Sequence, residues 1–275
     1  MRLYRNSRFH SQRMGKFLAK LLSVYVLIKK DTFKIKRING IKYKLDLRQV
    51  IDSSLYFSNT YEESAEHLID SIISLGMYAI DIGANFGYHT FRMAKLVGPE
   101  GKVLAIEPTS WAYNKLMINS ELNPEIRNII FLKIALDEKD LGRRHTEIVS
   151  SYQTNGKEEK SKEEFDIRKL DTVIFENNFP RIDFIKLDVD GYEAKVLRGA
   201  RKTVLIFRPI ILLEITPSAL EDNHDSYLDI IQFFEKYNYR FETTSRRPLE
   251  DLNKLCAQLP QKTSVMILTI PNEKS

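Results

Sequence analysis

Apolar and polar positions change rhythm several times along the chain. Between residues 33 and 45 they alternate, with Phe33, Ile35, Ile38, Ile41, Tyr43 and Leu45 as the apolar set. Asn39-Gly40 sits in the middle. A type I′ turn needs positive φ at both central residues, so this stretch predicts a β-hairpin. Residues 61–75 then repeat at helical spacing, through Ala65, Leu68, Ile69, Ile72 and Ile73, with Gly76 as the stop. From residue 77 short apolar runs alternate with helical stretches. Strands are predicted at 77–82, 102–107 and 128–135, with helices at 88–97 and 110–122 between them and Ser110 as the second N-cap. A βαβαβ unit of this kind implies a parallel sheet covered by helices on both faces.

The rhythm breaks over 138–164, which is rich in Lys, Glu, Ser, Asn and Gly. One short strand is expected near 146–150, followed by an exposed polar loop over 150–164, read as a surface insertion. The alternation then resumes. Helices are expected at 170–176, 193–205, 226–237 and 249–257, and strands at 182–188, 209–214, 239–243 and 264–270. That makes seven core strands after the hairpin. The fold class is therefore α/β: a Rossmann-like, doubly wound seven-stranded sheet with an N-terminal helix and β-hairpin extension. Two parts are expected: a basic arm or helix at 1–30 and one domain at 31–275, made of a hairpin and helix at 31–76 and the core sheet at 77–271.

Charge is unevenly distributed. Residues 1–44 carry 13 Lys/Arg against one acid, Asp31, a net +12, and the rest carries 29 basic against 36 acidic residues, a net −7. Such an arm is suited to a solvated role, to packing on its own acidic body, or to peripheral contact with an anionic membrane surface. The apolar stretch 17–28 holds Lys20 and spans 12 residues, short of the ~20 that a bilayer span needs. Lys29-Lys30-Asp31 follows it rather than a small-residue cleavage site, which argues against a signal peptide. The single cysteine, Cys256, excludes an internal disulfide and a cysteine-based zinc site, and a cytoplasmic location is expected.

Candidate chemistry gathers at the strand ends. In an open α/β sheet, ligands bind outside the carboxyl ends of the strands. Residues 79–90 read A-I-D-I-G-A-N-F-G-Y-H-T: a strand, a glycine turn and a helix start. Asp81 lies two residues before Gly83, and the turn lacks the middle glycine of G-x-G-x-x-G. Both features disfavour a pyrophosphate, and with it an NAD-dependent oxidoreductase. A cationic ammonium or sulfonium ligand suits the carboxylate. Glu107, at the end of the second strand, is placed to bind ribose hydroxyls. The later strands end at Asp137, Asp188-Val189-Asp190-Gly191-Tyr192-Glu193 and Glu214.

In this order the residues resemble the FkbM family of class I S-adenosylmethionine-dependent methyltransferases. The likeness is carried by Tyr61-Glu62, D-I-G-A-N-F-G from Asp81, Glu107-Pro108, Ala135-Leu136 and Leu170-Asp171. It continues through I-D-F-I-K-L-D-V-D-G-Y-E from Ile182, V-L-R-G-A from Val196 and R-P-I-I-L-L-E from Arg208, and covers roughly residues 40–215. Asp190 departs from the glutamate usual there. The resemblance implies methyl transfer from S-adenosylmethionine to a hydroxyl of a small molecule, sugar or glycolipid. Glu62, Asp81, Gly83, Ala84, Asn85, Gly87, Glu107, Ala135 and Leu136 would bind the donor. Asp188 is the first candidate for the catalytic base and Glu214 the second, with Glu193 and Lys186 weaker. Asp188 and Glu214 could alternatively hold a divalent cation. His89 and His224 could serve as bases, but each reads more readily as a surface or helix-start residue. A nucleic-acid-modifying role is the rival that the basic arm raises, but no RNA-binding module is recognisable in the arm. The intact acidic rim argues against a catalytically idle scaffold.

Overall fold

The computed structural model describes residues 32–152 and 158–272. The expected arm and N-terminal helix at 1–30 lie outside them. Asn39 and Gly40 take φ of 50° and 79°, and on that turn β1 (Phe33–Ile38) and β2 (Ile41–Asp46) pair as the expected antiparallel hairpin. Helix α1 (Val50–Ser58) follows. Its β-branched and serine-rich sequence has weak helical propensity and hid it from the periodicity. Helix α2 (Glu63–Ile72) is shorter than expected. Ile73 already has extended backbone, and Gly76 (φ 80°) donates its N–H to the Val97 carbonyl instead of closing the helix.

The core repeats β3 (Tyr78–Ile82), α3 (Tyr88–Val97), β4 (Lys102–Ile106), α4 (Ser110–Glu121) and β5 (Ile129–Leu132). Thr109, not Ser110, caps α4, its side chain accepting from the Ala112 N–H. The expected strand at 128–135 breaks after Leu132. Its continuation, β6 (Ala135–Leu136), joins a second sheet with β7 (Gly142–Tyr152) and β8 (Glu158–Arg168), in the order β6-β8-β7. The short strand expected near 146–150 lies within β7, but residues 158–164, expected as loop, belong to β8. The polar stretch is a long antiparallel hairpin, paired from Gly142↔Ile167 to Tyr152↔Glu158. Its low hydrophobicity suggested a loop, but a ladder satisfies its backbone groups without a large core, and buried Phe165 and Leu136 anchor its base.

The chain continues through α5 (Leu170–Glu176), β9 (Phe184–Leu187), α6 (Glu193–Gly199), α7 (Arg201–Phe207) and β10 (Ile210–Ile215). It ends with α8 (Pro217–Asp222), α9 (Tyr227–Lys236), β11 (Tyr239–Thr243), α10 (Leu252–Ala257) and β12 (Val265–Pro271). The expected single helix over 193–205 is two, broken where Gly199 passes the Asp137 carbonyl, 2.2 Å from where a Cβ would sit. The seven-stranded sheet has the order β11-β12-β10-β9-β3-β4-β5. Neighbours are parallel except at β12, which runs antiparallel to β10 and β11. Apolar clusters fill both faces of the sheet, and a third packs the hairpin against α3 and α4. Asn119 of α4 and Asn123, just past its end, bond the backbone of Lys44 and Lys42 at 2.8 Å, covering the exposed edge of β2. Asn119 also donates to the Phe86 carbonyl in the glycine turn, tying the hairpin to the strand ends. Among the described residues no helix is long and apolar enough to cross a membrane.

Gly83 is required by this packing. Its φ is 82°, and a Cβ there would lie 1.8 Å from the Asp188 carbonyl oxygen. Gly83→Ala is therefore expected to cost more than about 2 kcal/mol, since both left-handed strain and a backbone clash must be relieved. Denaturant unfolding measures this, and an unchanged midpoint would show that β3 and β9 do not close up at this point.

Candidate active site

Strands β3, β4, β9 and β10 all end on one side of the sheet, and their carboxyl ends open into a cleft of about 570 Å³. Of the residues expected from sequence, Glu62, Asp81, Gly83, Ala84, Asn85, Glu107, Asp188 and Glu214 line it. Four do not. Gly87 (φ 93°) starts α3, and the space for its Cβ is taken by Leu116 and Phe91. Ala135 and Leu136 form β6, paired with Ile167 and Arg168 of the second sheet. Glu193 is buried beneath the Asp188–Gly191 turn. Its Oε1 accepts the N–H groups of Val189 (3.0 Å) and Gly191 (3.2 Å), so it shapes the loop that carries Asp188.

The strand register assembles the charged centre. Asp81 of β3 pairs with Lys186 of β9, and Asp188 and Glu214 each follow a residue of the cross-strand pair Leu187↔Leu213. Lys186 is 3% exposed and places its Nζ 2.8 Å from Asp188 Oδ2. Burial alone would favour its neutral form. The carboxylates of Asp188, Asp81 and Glu62 overcome that and hold it firmly as an ammonium. Burial likewise works against an ionised Asp188, but Lys186 and a hydrogen bond from Glu214 outweigh it and lower the Asp188 pKa. Glu214 is pushed up to about 9 by burial and by the adjacent Asp188 charge, so it carries a proton at neutral pH. The pair thus shares one proton, as two neighbouring buried carboxyls must. Among the described residues no group of three or more His, Cys, Asp or Glu is arranged to hold a metal ion. The cation beside Asp188 is Lys186.

The other half of the cleft is lined by β3 and β4. Asp81 is buried, with Oδ2 accepting from Thr90 Oγ1 at 2.6 Å and Oδ1 without a partner. Asn85, at φ 49°, also leaves its Oδ1 buried and unpartnered. Glu107 accepts the Asn85 N–H on Oε2 (2.9 Å) and the Thr109 N–H and hydroxyl on Oε1 (2.9 and 2.7 Å). Burial raises its pKa against the pull of those three hydrogen bonds.

Several lining residues were missed or undervalued from sequence. Asp52 and Trp111 close the far end. Asp52 is ion-paired with Lys115, whose ammonium lies 4.3 Å from the Phe86 ring centre and 5.0 Å from that of Trp111. Asp52 belongs to α1, the helix that the sequence concealed. His89 is the second residue of α3, as one expected reading had it, and is not a surface residue. It is buried, lines the cleft, and contacts Glu62 Oε2 through Nε2 at 2.9 Å. Lys186 had a usable signal, since a lysine inside the apolar run I-D-F-I-K-L-D needs a partner when that run is buried. His224 does not line the cleft.

A model of the methyltransferase FkbM domain matches residues 81–241. The chain belongs to this family. A second model, for protein-L-isoaspartate (D-aspartate) O-methyltransferase, matches residues 18–140. No curated protein matches the sequence. Among solved structures, this FkbM-family chain is similar to the methyltransferase FkbM from Methylobacillus flagellatus KT, with 16% identity and a TM-score of 0.45. That match covers 71% of this chain and 43% of the other, so the chain spans less than half of that relative's length. It is similar to TYW2 of M. jannaschii in complex with AdoMet, at 18% identity, 88% and 85% coverage and a TM-score of 0.44. It is also similar to a SAM-dependent O-methyltransferase from Thermotoga maritima, at 16% identity, 88% and 78% coverage and a TM-score of 0.45.

The buried acids give the fold a pH dependence. Burial raises Glu193 to about 7, and burial with the Asp188 charge raises Glu214 to about 9, both from an ordinary 4.5. Each binds its proton more tightly when folded, so each contributes stability below its unfolded pKa and loses it as pH climbs to the folded value. Stability is expected to fall between about pH 4.5 and pH 9 through these groups. Thermal melts across this range should show Glu214→Gln losing less than the parent chain, by at least ~2 °C, equivalent to about 1 kcal/mol in a domain of this size. Parallel curves would remove Glu214 from the account.

Proposed function

We propose that this chain transfers a methyl group from S-adenosylmethionine to a hydroxyl oxygen of a small molecule or carbohydrate. The observation that carries the reading is the pair of unpartnered buried acceptors, Asp81 Oδ1 and Asn85 Oδ1, on the β3 side of the cleft. A ligand rich in donors, with an ammonium and ribose hydroxyls, satisfies them. A pyrophosphate, which offers acceptors only, leaves them unpaired and meets the Asp81 charge. Glu107 has both oxygens engaged by the protein, yet a carboxylate offers about four lone-pair sites, so it retains capacity for ribose hydroxyls. When bound, the donor supplies a methyl group on a sulfonium sulfur, an electrophile that needs no further activation.

The residues of the chain then have two tasks. The first is alignment, which supplies ~7–11 kcal/mol in well-oriented systems. Asp81, Asn85 and Glu107 hold the donor side. Asp188, Glu214 and Lys186 supply hydrogen-bonding groups for the acceptor. The second task is removal of the hydroxyl proton, worth ~10²–10⁴-fold. Charge at the acceptor end supports a neutral hydroxyl over a protonated amine. Lys186 pairs with Asp188 and Glu214 is protonated, so the ammonium already present there disfavours a second one.

Two measurements test this. Calorimetric binding of S-adenosylhomocysteine should weaken at least ~10-fold in Asp81→Asn and in Glu107→Gln, equivalent to about 1.4 kcal/mol; a parent chain that does not bind it sinks the reading. The chain should also transfer label from methyl-tritiated S-adenosylmethionine to a component of fractionated cell extract, and the label should survive mild alkali as an ether. Alkali-released methanol would indicate a carboxyl acceptor instead.

A further inference from the structure

We propose that His89, held in place by Glu62, is the general base that takes the proton of the acceptor hydroxyl. This rests on the methyl-transfer reading of the cleft. An ionised carboxylate can only accept a hydrogen bond. Where Glu62 Oε2 accepts in the 2.9 Å contact, the hydrogen lies on His89 Nε2, and the neutral ring then keeps a lone pair on Nδ1. That Nδ1 is buried and has no hydrogen-bond partner in the protein, although His89 lines the cleft. The other groups at the acceptor end are already committed. Asp188 is tied to the Lys186 ammonium at 2.8 Å and accepts from Glu214, which weakens it as a base. Glu214 already holds a proton.

The neighbours of the ring suit the task. Glu62 lies on the segment before α2, Asp188 and Lys186 come from β9, Glu214 from β10 and Asp81 from β3, and all line the same cleft. The Tyr88 ring centre is 5.2 Å from that of the imidazole. In the step itself the acceptor O–H bond breaks and its proton moves to His89 Nδ1. An oxygen electron pair forms the new O–CH₃ bond, and the pair of the breaking C–S bond returns to sulfur as a thioether. The imidazolium that results is balanced by Glu62 and Asp188, then releases its proton to water. An oriented carboxylate behind an imidazole fixes its tautomer and steadies the charge it acquires.

The test has an arm that needs no acceptor. Nitrogen-15 NMR of the chain labelled in histidine, saturated with S-adenosylhomocysteine at pH 8, should assign to His89 a neutral ring with hydrogen on Nε2 and a bare Nδ1. Hydrogen on Nδ1, or a ring protonated at that pH, overturns the proposal. The second arm uses tritium transfer to the extract fraction that the parent chain labels. His89→Gln keeps a polar group near Nε2 and so keeps the Glu62 contact. It is expected to lower kcat at least 100-fold while S-adenosylhomocysteine affinity stays within threefold, and a rate retained in that variant overturns the proposal. If the parent chain neither binds S-adenosylhomocysteine nor labels any fraction, the methyl-transfer reading has failed, and the proposed base falls with it. Binding and labelling by the parent with the wrong tautomer removes the base alone.

Discussion

Lys186 is 3% exposed, with its ammonium 2.8 Å from Asp188, and a charge so deeply placed has to be matched from within the protein. The match comes from the parallel register of β3, β9 and β10, which sets Asp81 beside Lys186 and brings Asp188 next to Glu214. Most features of the cleft follow from that arrangement. Asp188 stays ionised because Lys186 is there. Glu214 stays protonated because Asp188 is ionised. Gly83 has no side chain because the Asp188 carbonyl occupies the position of its Cβ. Glu193 lies outside the cleft, but its carboxylate accepts the N–H groups of Val189 and Gly191 and so shapes the turn that presents Asp188.

The cleft therefore has two ends with different chemistry. At the β3–β4 end, unpartnered acceptors on Asp81 and Asn85 and the carboxylate of Glu107 favour a ligand rich in donors. At the β9–β10 end, an ammonium, a carboxylate and a carboxylic acid lie together with little net charge. The N-terminal hairpin and α1 are fastened to this centre through Asn119, Asn123 and the Asp52–Lys115 pair. The wall of the cleft and its β9–β10 end are in this way parts of one packed body.

A good deal of this was legible beforehand. The Asn39-Gly40 hairpin and the seven-stranded sheet appear where the pattern put them, because turn chemistry and hydrophobic period are local properties, and eight of the residues expected at the site line the cleft. Failures came where local signals were weak. The β7–β8 hairpin was expected only as a short strand near 146–150 and a loop, because its sequence is rich in Lys, Glu and Ser. Helix α1 was overlooked because its β-branched and serine residues carry little helical propensity. Gly87 was given to the ligand, although it is Leu116 and Phe91 that fill the space beside it.

The sequence alone determined which chemical groups stand at the strand ends, since an apolar run that stops at Asp81, Glu107, Asp188 or Glu214 presents that residue at the rim of the sheet. It could not determine what those groups do. Whether a carboxyl is charged depends on what lies within a few ångströms of it, and the partners come from distant parts of the chain: Glu62 to His89, Asp81 to Lys186, Asp188 to Glu214. Only the tertiary structure made Asp188 an ion pair, Glu214 an acid and His89 a buried imidazole with one free nitrogen. Electrostatic interactions depend on distance and on burial, and neither is written in the order of residues.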